Sequence, residues 1–137
     1  PKNFESYSLQ FEENDKLVST QLENDLLSAK THTIETVNGK LPLSYRLFNN
    51  DALIFKDLQS KSIAILENDN PMLKVSFPGF PHLGIWTKSG APFICIEPWQ
   101  GYSDRGDSNG LLTEKEGILI LKSGNTYSTG FTIDICK

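Results

Sequence analysis

One carboxylate stands alone in an apolar, strand-like run, Phe93-Ile94-Cys95-Ile96-Glu97-Pro98. Around it, the segment from Phe77 to Asp104 gathers both tryptophans of the chain, four of its seven prolines and four of its ten glycines. Flat aromatic faces, a stiff backbone and an isolated base are the parts a carbohydrate-processing site uses. On a strand, side chains alternate, so Ile94 and Ile96 share one face while Phe93, Cys95 and Glu97 share the other. With the isoleucines in the core, Glu97 points from the opposite face. Pro98 holds Glu97 to extended angles and donates no ladder hydrogen bond, so the strand is expected to stop there, with the carboxylate at the mouth of a groove. Such a carboxylate suits a general base. The plainer alternative is a glutamate held in an ion pair at a strand end.

The neighbours have two readings as well. Trp86 and Trp99 could stack on sugar rings or fill a core. Gly101 allows a close backbone approach or a positive φ. His82, among prolines and glycines, reads as a solvated loop histidine, and His32 as a strand residue; neither is promoted to a catalytic role. Asp104, Arg105 and Asp107 read as a solvated polar loop, and Glu114-Lys115-Glu116 as a surface charge cluster. Neither a metal-ligand spacing, a Ser-His-Asp constellation nor a phosphate loop can be defended.

The elements that must position Glu97 are short strands. Apolar–polar alternation marks Tyr7-Phe11, His32-Val37, Ala52-Phe55, Ser62-Leu66, Leu73-Phe77, Gly84-Thr87, Phe93-Glu97, Gly117-Leu121 and Gly130-Ile135. Asn38-Gly39 is a hairpin signal, and Asn68 to Pro71, Lys88 to Pro92, Asp107 to Gly110 and Ser123 to Asn125 are further turns. Only Leu41-Leu47 or Asn24-Ala29 could hold a single helical turn. This pattern predicts an all-β sandwich or barrel, with residues 1–137 as one undivided unit. Its 137 residues, 38% hydrophobic and 22% charged, suit one globular domain. The net charge of −4 disfavours nucleic acid and anionic membranes as partners. Cys95 and Cys136 lack the spacing of a metal knuckle and read as two reduced thiols of a cytoplasmic protein. The opening Pro1-Lys2-Asn3, without methionine, reads as a cut inside a longer chain or a processed start.

The segments Phe77 to Pro81, Leu83 to Trp86, Gly90 to Phe93 and Cys95 to Trp99, followed by Gly101 and Asp104, resemble the aldose 1-epimerases, or galactose mutarotases, nearest a bacterial LacX-like branch. Asn50 to Phe55 and Glu114 to Ile118 fit the same pattern, so the resemblance runs along essentially the whole chain. It implies a galactose mutarotase-like β-sandwich with a hexose groove across one sheet. It also implies that Glu97 is the general base and that Asp51 binds sugar hydroxyls. Trp99 stands where other branches of the family place a different residue, and it is read here as a substrate contact. No cofactor or metal is implied, because the reaction is proton transfer alone. The family's proteins are about twice as long, and their two active-site histidines, one of them the general acid, and a substrate-binding arginine lie in the first half, so this chain resembles the C-terminal half only. The expected partners are an aldohexose and the N-terminal half of the same protein or another copy. A sandwich that binds carbohydrate without catalysis is the alternative.

Overall fold

The computed structural model describes residues 3–14 and 16–136. Among these, ten strands form two five-stranded antiparallel sheets, and no α-helix is present. The first sheet has the order β10-β7-β6-β1-β4, with β1 at Tyr7–Phe11, β4 at Lys40–Pro42, β6 at Ser62–Glu67, β7 at Asn70–Ser76 and β10 at Thr132–Ile135. The second has the order β3-β2-β5-β8-β9, with β2 at Val18–Glu23, β3 at Leu26–Thr33, β5 at Leu53–Phe55, β8 at His82–Trp86 and β9 at Cys95–Trp99.

The alternation read in the sequence places the core. Leu9 and Phe11 of β1, Ile63 of β6 and Val75 of β7 meet Leu53 and Phe55 of β5 and Leu83 and Ile85 of β8 in one apolar cluster. The all-β expectation holds, as do strands at Tyr7-Phe11 and Ser62-Leu66, with small shifts elsewhere. The hairpin at Asn38-Gly39 forms with both residues at positive φ, 52° and 73°, as a type I′ turn requires. Asn68-Asp69 turns between β6 and β7 in the same way, at 46° and 67°.

Several expectations are corrected. Asn24-Ala29 holds no helical turn: Asn24 and Asp25, at φ 52° and 64°, turn β2 into β3. His32-Val37 is not a strand, because β3 ends at Thr33 and Val37 only bridges Lys40. The strands β2 and β4 carry too few large apolar residues to show clear alternation. Gly117-Leu121 forms no strand, and its apolar side chains lie exposed. Within Leu41-Leu47 the expected turn does form, as a 3₁₀ turn at Tyr45–Phe48, and further 3₁₀ turns lie at Phe4–Ser6 and Leu112–Glu114. The strand bearing Glu97 does not stop before Pro98 but runs through it to Trp99. It can do so because β9 is an edge strand, where a missing N–H removes no ladder bond.

Candidate active site

β8 is buried on both faces. Leu83 and Ile85 enter the core between the sheets, while His82 and Gly84 belong to the opposite, outer face of the second sheet. The antiparallel register sets His82 against Trp99, Gly84 against Glu97 and Trp86 against Cys95. Directly opposed residues share a face, so His82, Gly84, Trp86, Cys95, Glu97 and Trp99 all lie on the outer face. Ile54 of β5, paired with Gly84, continues it. A second, smaller cluster covers this face: Leu27, Ile54 and Tyr102, with Leu22, Ala52 and Trp99 packed against them.

The Trp99 ring lies over Gly84. A Cβ added there would sit 2.5 Å from Trp99 Cζ2 and 2.7 Å from Cη2, so only glycine lets the indole settle on the backbone beside Glu97. Gly101 serves close approach rather than a positive φ, since a Cβ there would lie 3.1 Å from the Gly117 carbonyl oxygen. Trp86 is partly exposed near the edge, 6.0 Å from the Phe93 ring. Glu97 is partly exposed and, among the described residues, has no hydrogen bond or ion pair. The ion-paired strand-end alternative is therefore not what the structure shows.

Residues that the sequence left aside complete the face. His82 is not a solvated loop residue but opens β8 with 5% exposure. Its Nδ1 accepts the Asp57 N–H at 3.1 Å, and its ring meets Tyr102 edge-on at 4.8 Å between centroids. Burial pushes its pKa below the usual histidine value, against a smaller upward pull from Asp57. Lys56 stands 4.7 Å over the Tyr102 ring and 2.5 Å from Glu116. That contact and a hydrogen bond from Tyr102 hold Glu116 below the ordinary carboxylate range, while burial raises Tyr102. Arg105 pairs with Asp107 at 2.8 Å and Lys115 with Asp104 at 2.8 Å, so the loop read as solvated is laced with ion pairs. Backbone bonds from the Leu27 N–H to Asp104 and from the Gly106 N–H to Leu27 fix this loop to β3. No local signal marks these partners, because residues from three separated segments meet only in the fold.

Asp51 lies apart from Glu97. It is exposed, at φ 81°, with Oδ1 accepting the Ala52 N–H at 2.7 Å. It lies in the turn before β5, two strands from β9 in the second sheet, and shares no ladder pair with Glu97. Among the described residues, no three or more His, Cys, Asp or Glu side chains form a metal-binding group, and no helix is long and apolar enough to cross a membrane.

No family model matches the chain. Two Lactococcus lactis proteins, "Protein LacX, chromosomal" and "Protein LacX, plasmid", are each 31% identical over 139 residues, matching 98% of this chain and 46% of their own length. A crystal structure of a galactose mutarotase related enzyme from Lactobacillus acidophilus superposes with a TM-score of 0.87 at 27% identity, over 99% of this chain and 47% of that one. A galactose mutarotase-like protein from Lactobacillus casei shares the fold, with a TM-score of 0.77 at 21% identity, over 94% of this chain and 45% of that one. The chain thus spans about half the length of these relatives. Over nearly all of this chain, sequence and fold are thus similar to LacX proteins and to galactose mutarotase-like structures.

Proposed function

We propose that the chain carries the general base of an aldose 1-epimerase that interconverts the α and β anomers of a free aldohexose. The observation that supports this most is Glu97: a carboxylate without a partner among the described residues, beside an indole seated on Gly84, on the outer face of a mutarotase-like sheet. In this reading Glu97 takes the proton from the C1 hydroxyl as an acid gives one to the ring oxygen. The C1–O5 bond breaks, a carbonyl forms at C1, rotation about C1–C2 presents its other face, and the proton transfers reverse on closure. The acid is a histidine of the remaining half of the protein, and no cofactor takes part.

The C-terminal arm supports such a partner. Leu119, Ile120, Leu121, Phe131, Ile133 and Ile135 are exposed, Ile120 at 71% and Ile135 at 79%. Among the described residues β10 pairs with β7 alone and leaves its other edge open. Large exposed apolar side chains of this number mark an interface, and the half-length match to the relatives favours the remaining half of the fold as the occupant. Without it the chain is inactive.

The test is polarimetry on freshly dissolved α-glucose and α-galactose, with the whole protein beside its Glu97→Gln variant. Faster anomer exchange that collapses in the variant supports the reading. Hexose binding without acceleration replaces it with a non-catalytic carbohydrate-binding sandwich.

A further inference from the structure

Ile118-Leu119-Ile120-Leu121 is a run of four large aliphatic side chains, yet it belongs to no strand and all four are exposed. Turns frame it as they would frame a strand. The Ile118 N–H donates to the Lys115 carbonyl at 3.3 Å and the Asn125 N–H to the Lys122 carbonyl at 3.1 Å, with Gly117 and Gly124 inside these turns at φ 78° and 82°. Between the turns, the backbone of Leu119, Ile120 and Leu121 makes no hydrogen bond among the described residues. On a strand, Ile118 and Ile120 would project from one side and Leu119 and Leu121 from the other. A strand apolar on both sides is one that is covered on both. Left bare, an uncharged run of β-formers is an aggregation hazard.

The run is held at both ends. Before it, Lys56 pairs with Glu116 at 2.5 Å and Lys115 with Asp104 at 2.8 Å. Gly117 lies so close to Tyr102 that a Cβ there would meet the ring at 3.2 Å. Beyond it, Gln100 Nε2 donates to Tyr127 Oη at 2.5 Å. A segment fixed in this way loses little freedom when it binds. The first sheet runs out of cover as well. Ile63, Val75 and Ile133 oppose one another across β6, β7 and β10 and so share the core-facing side, but their exposure climbs from 0 to 5 to 55%. Two bare apolar surfaces call for a large occupant rather than a short peptide. The match takes in 46% of the LacX proteins and 47% of the Lactobacillus acidophilus structure, so more than half of each relative lies outside it.

We infer that residues 118–121 are a donor strand, which the remaining half of the protein takes into one of its own sheets and covers on both faces. The strand leaves from Gly117, against Tyr102, in the cluster that also holds Trp99. Its acceptor therefore comes to the rim of the face that bears Glu97. That the acceptor is the remaining half rests on the reading above; that the run is paired and covered does not.

The experiment is amide hydrogen exchange by NMR on the whole ¹⁵N-labelled protein at two concentrations, with polarimetry on the same sample. Exchange about 10²-fold or more below the unstructured rate is expected at Ile120, at Leu119 with Leu121, or at all three, the patterns that one or two paired edges give. It should be equal at both concentrations. Unstructured rates at all three overturn the donor strand. Slowing that appears only at the higher concentration makes a second copy the acceptor and overturns the remaining half in that role. Polarimetry reads the aldose function separately: slow amides without anomer exchange keep the strand and refute the base role of Glu97, and fast amides with anomer exchange do the reverse. Ile120→Asp and Leu121→Asp, one on each face, should each lower the melting temperature of the whole protein by roughly 5 °C or more, because each puts a charge into an apolar contact. A melting temperature that either substitution leaves unmoved shows a bare face and overturns the two-sided cover.

Discussion

Gly84→Ala is the sharpest probe of how the Glu97 face is built. Gly84 has no positive φ, so its backbone suits alanine. On that ground alone the substitution should stabilise the protein by about 0.4–1 kcal/mol, by removing freedom from the unfolded chain. The added methyl, however, would lie 2.5 Å from Trp99 Cζ2 and 2.7 Å from Cη2. Carbon atoms rest about 3.5–4.0 Å apart, so the indole must retreat by roughly 1 Å or the β8–β9 pair must part. Overpacking of this kind costs about 1–3 kcal/mol, which outweighs the entropic gain. The expected net effect is a loss of about 1–2 kcal/mol, with the Trp99 emission shifted as the ring is lifted towards solvent.

A double-mutant cycle isolates the cause. In a Trp99→Ala background the obstacle is gone, and Gly84→Ala should become neutral or stabilising by about 0.5 kcal/mol. Urea unfolding of the four proteins gives the coupling, expected at about 1–3 kcal/mol. If Gly84→Ala stabilises the parent, or has the same effect in both backgrounds, the indole does not rest on Gly84 and Trp99 is free for another role.

Glu97→Gln should lower anomer exchange by the whole protein about 10²–10⁴-fold while leaving the unfolding midpoint nearly unchanged, because the Glu97 side chain has no partner among the described residues to lose; polarimetry beside thermal unfolding checks both halves. His82 predicts a pH dependence of stability. Its folded pKa is depressed by burial, so below about pH 6.5 the unfolded chain binds the proton more readily than the folded one. The stability His82 contributes is present above that pH and is lost as pH falls. Denaturant unfolding between pH 5 and 8 should show a shallower slope in His82→Gln than in the parent, and a steeper one would refute the assignment. Ile120→Asp, on the exposed arm, should leave the unfolding midpoint of the isolated chain within about 0.5 kcal/mol yet weaken its association with the remaining half of the protein. Gel filtration that shows equal association for parent and variant would exclude this part of the arm from the interface.

What the sequence made legible depended on how local the signal was. Tyr7 to Phe11 and Ser62 to Leu66 alternate cleanly and declare their strands, and Asn38-Gly39 announces its turn by chemistry that only a positive-φ pair satisfies. The apolar run Ile118 to Leu121 misled for a physical reason. It carries the side chains of a strand but has no strand to pair with among the described residues, and pairing, not propensity, makes a strand. The same limit governs the site. Glu97 stood out as an isolated carboxylate, but Pro98 predicted a strand end where the edge position of β9 tolerates proline. Tyr102, Lys56 and Glu116 gave no sign of one another, being brought together only by the fold.

His82 shows why the outer face could not be read residue by residue. In sequence it lies between prolines and glycines; in the fold it begins a strand buried on both sides, accepts the Asp57 N–H and abuts Tyr102. Its depressed pKa keeps it uncharged beneath the face that carries Glu97. A charged imidazole there would sit diagonally across from the Glu97 carboxylate, since His82 opposes Trp99 and Gly84 opposes Glu97. That charge would favour an ion pair over proton abstraction. Burying a neutral histidine next to Tyr102 therefore does two things at once. It fills the outer face of β8, and it leaves no imidazolium diagonal to the Glu97 carboxylate, as the proposed base role requires.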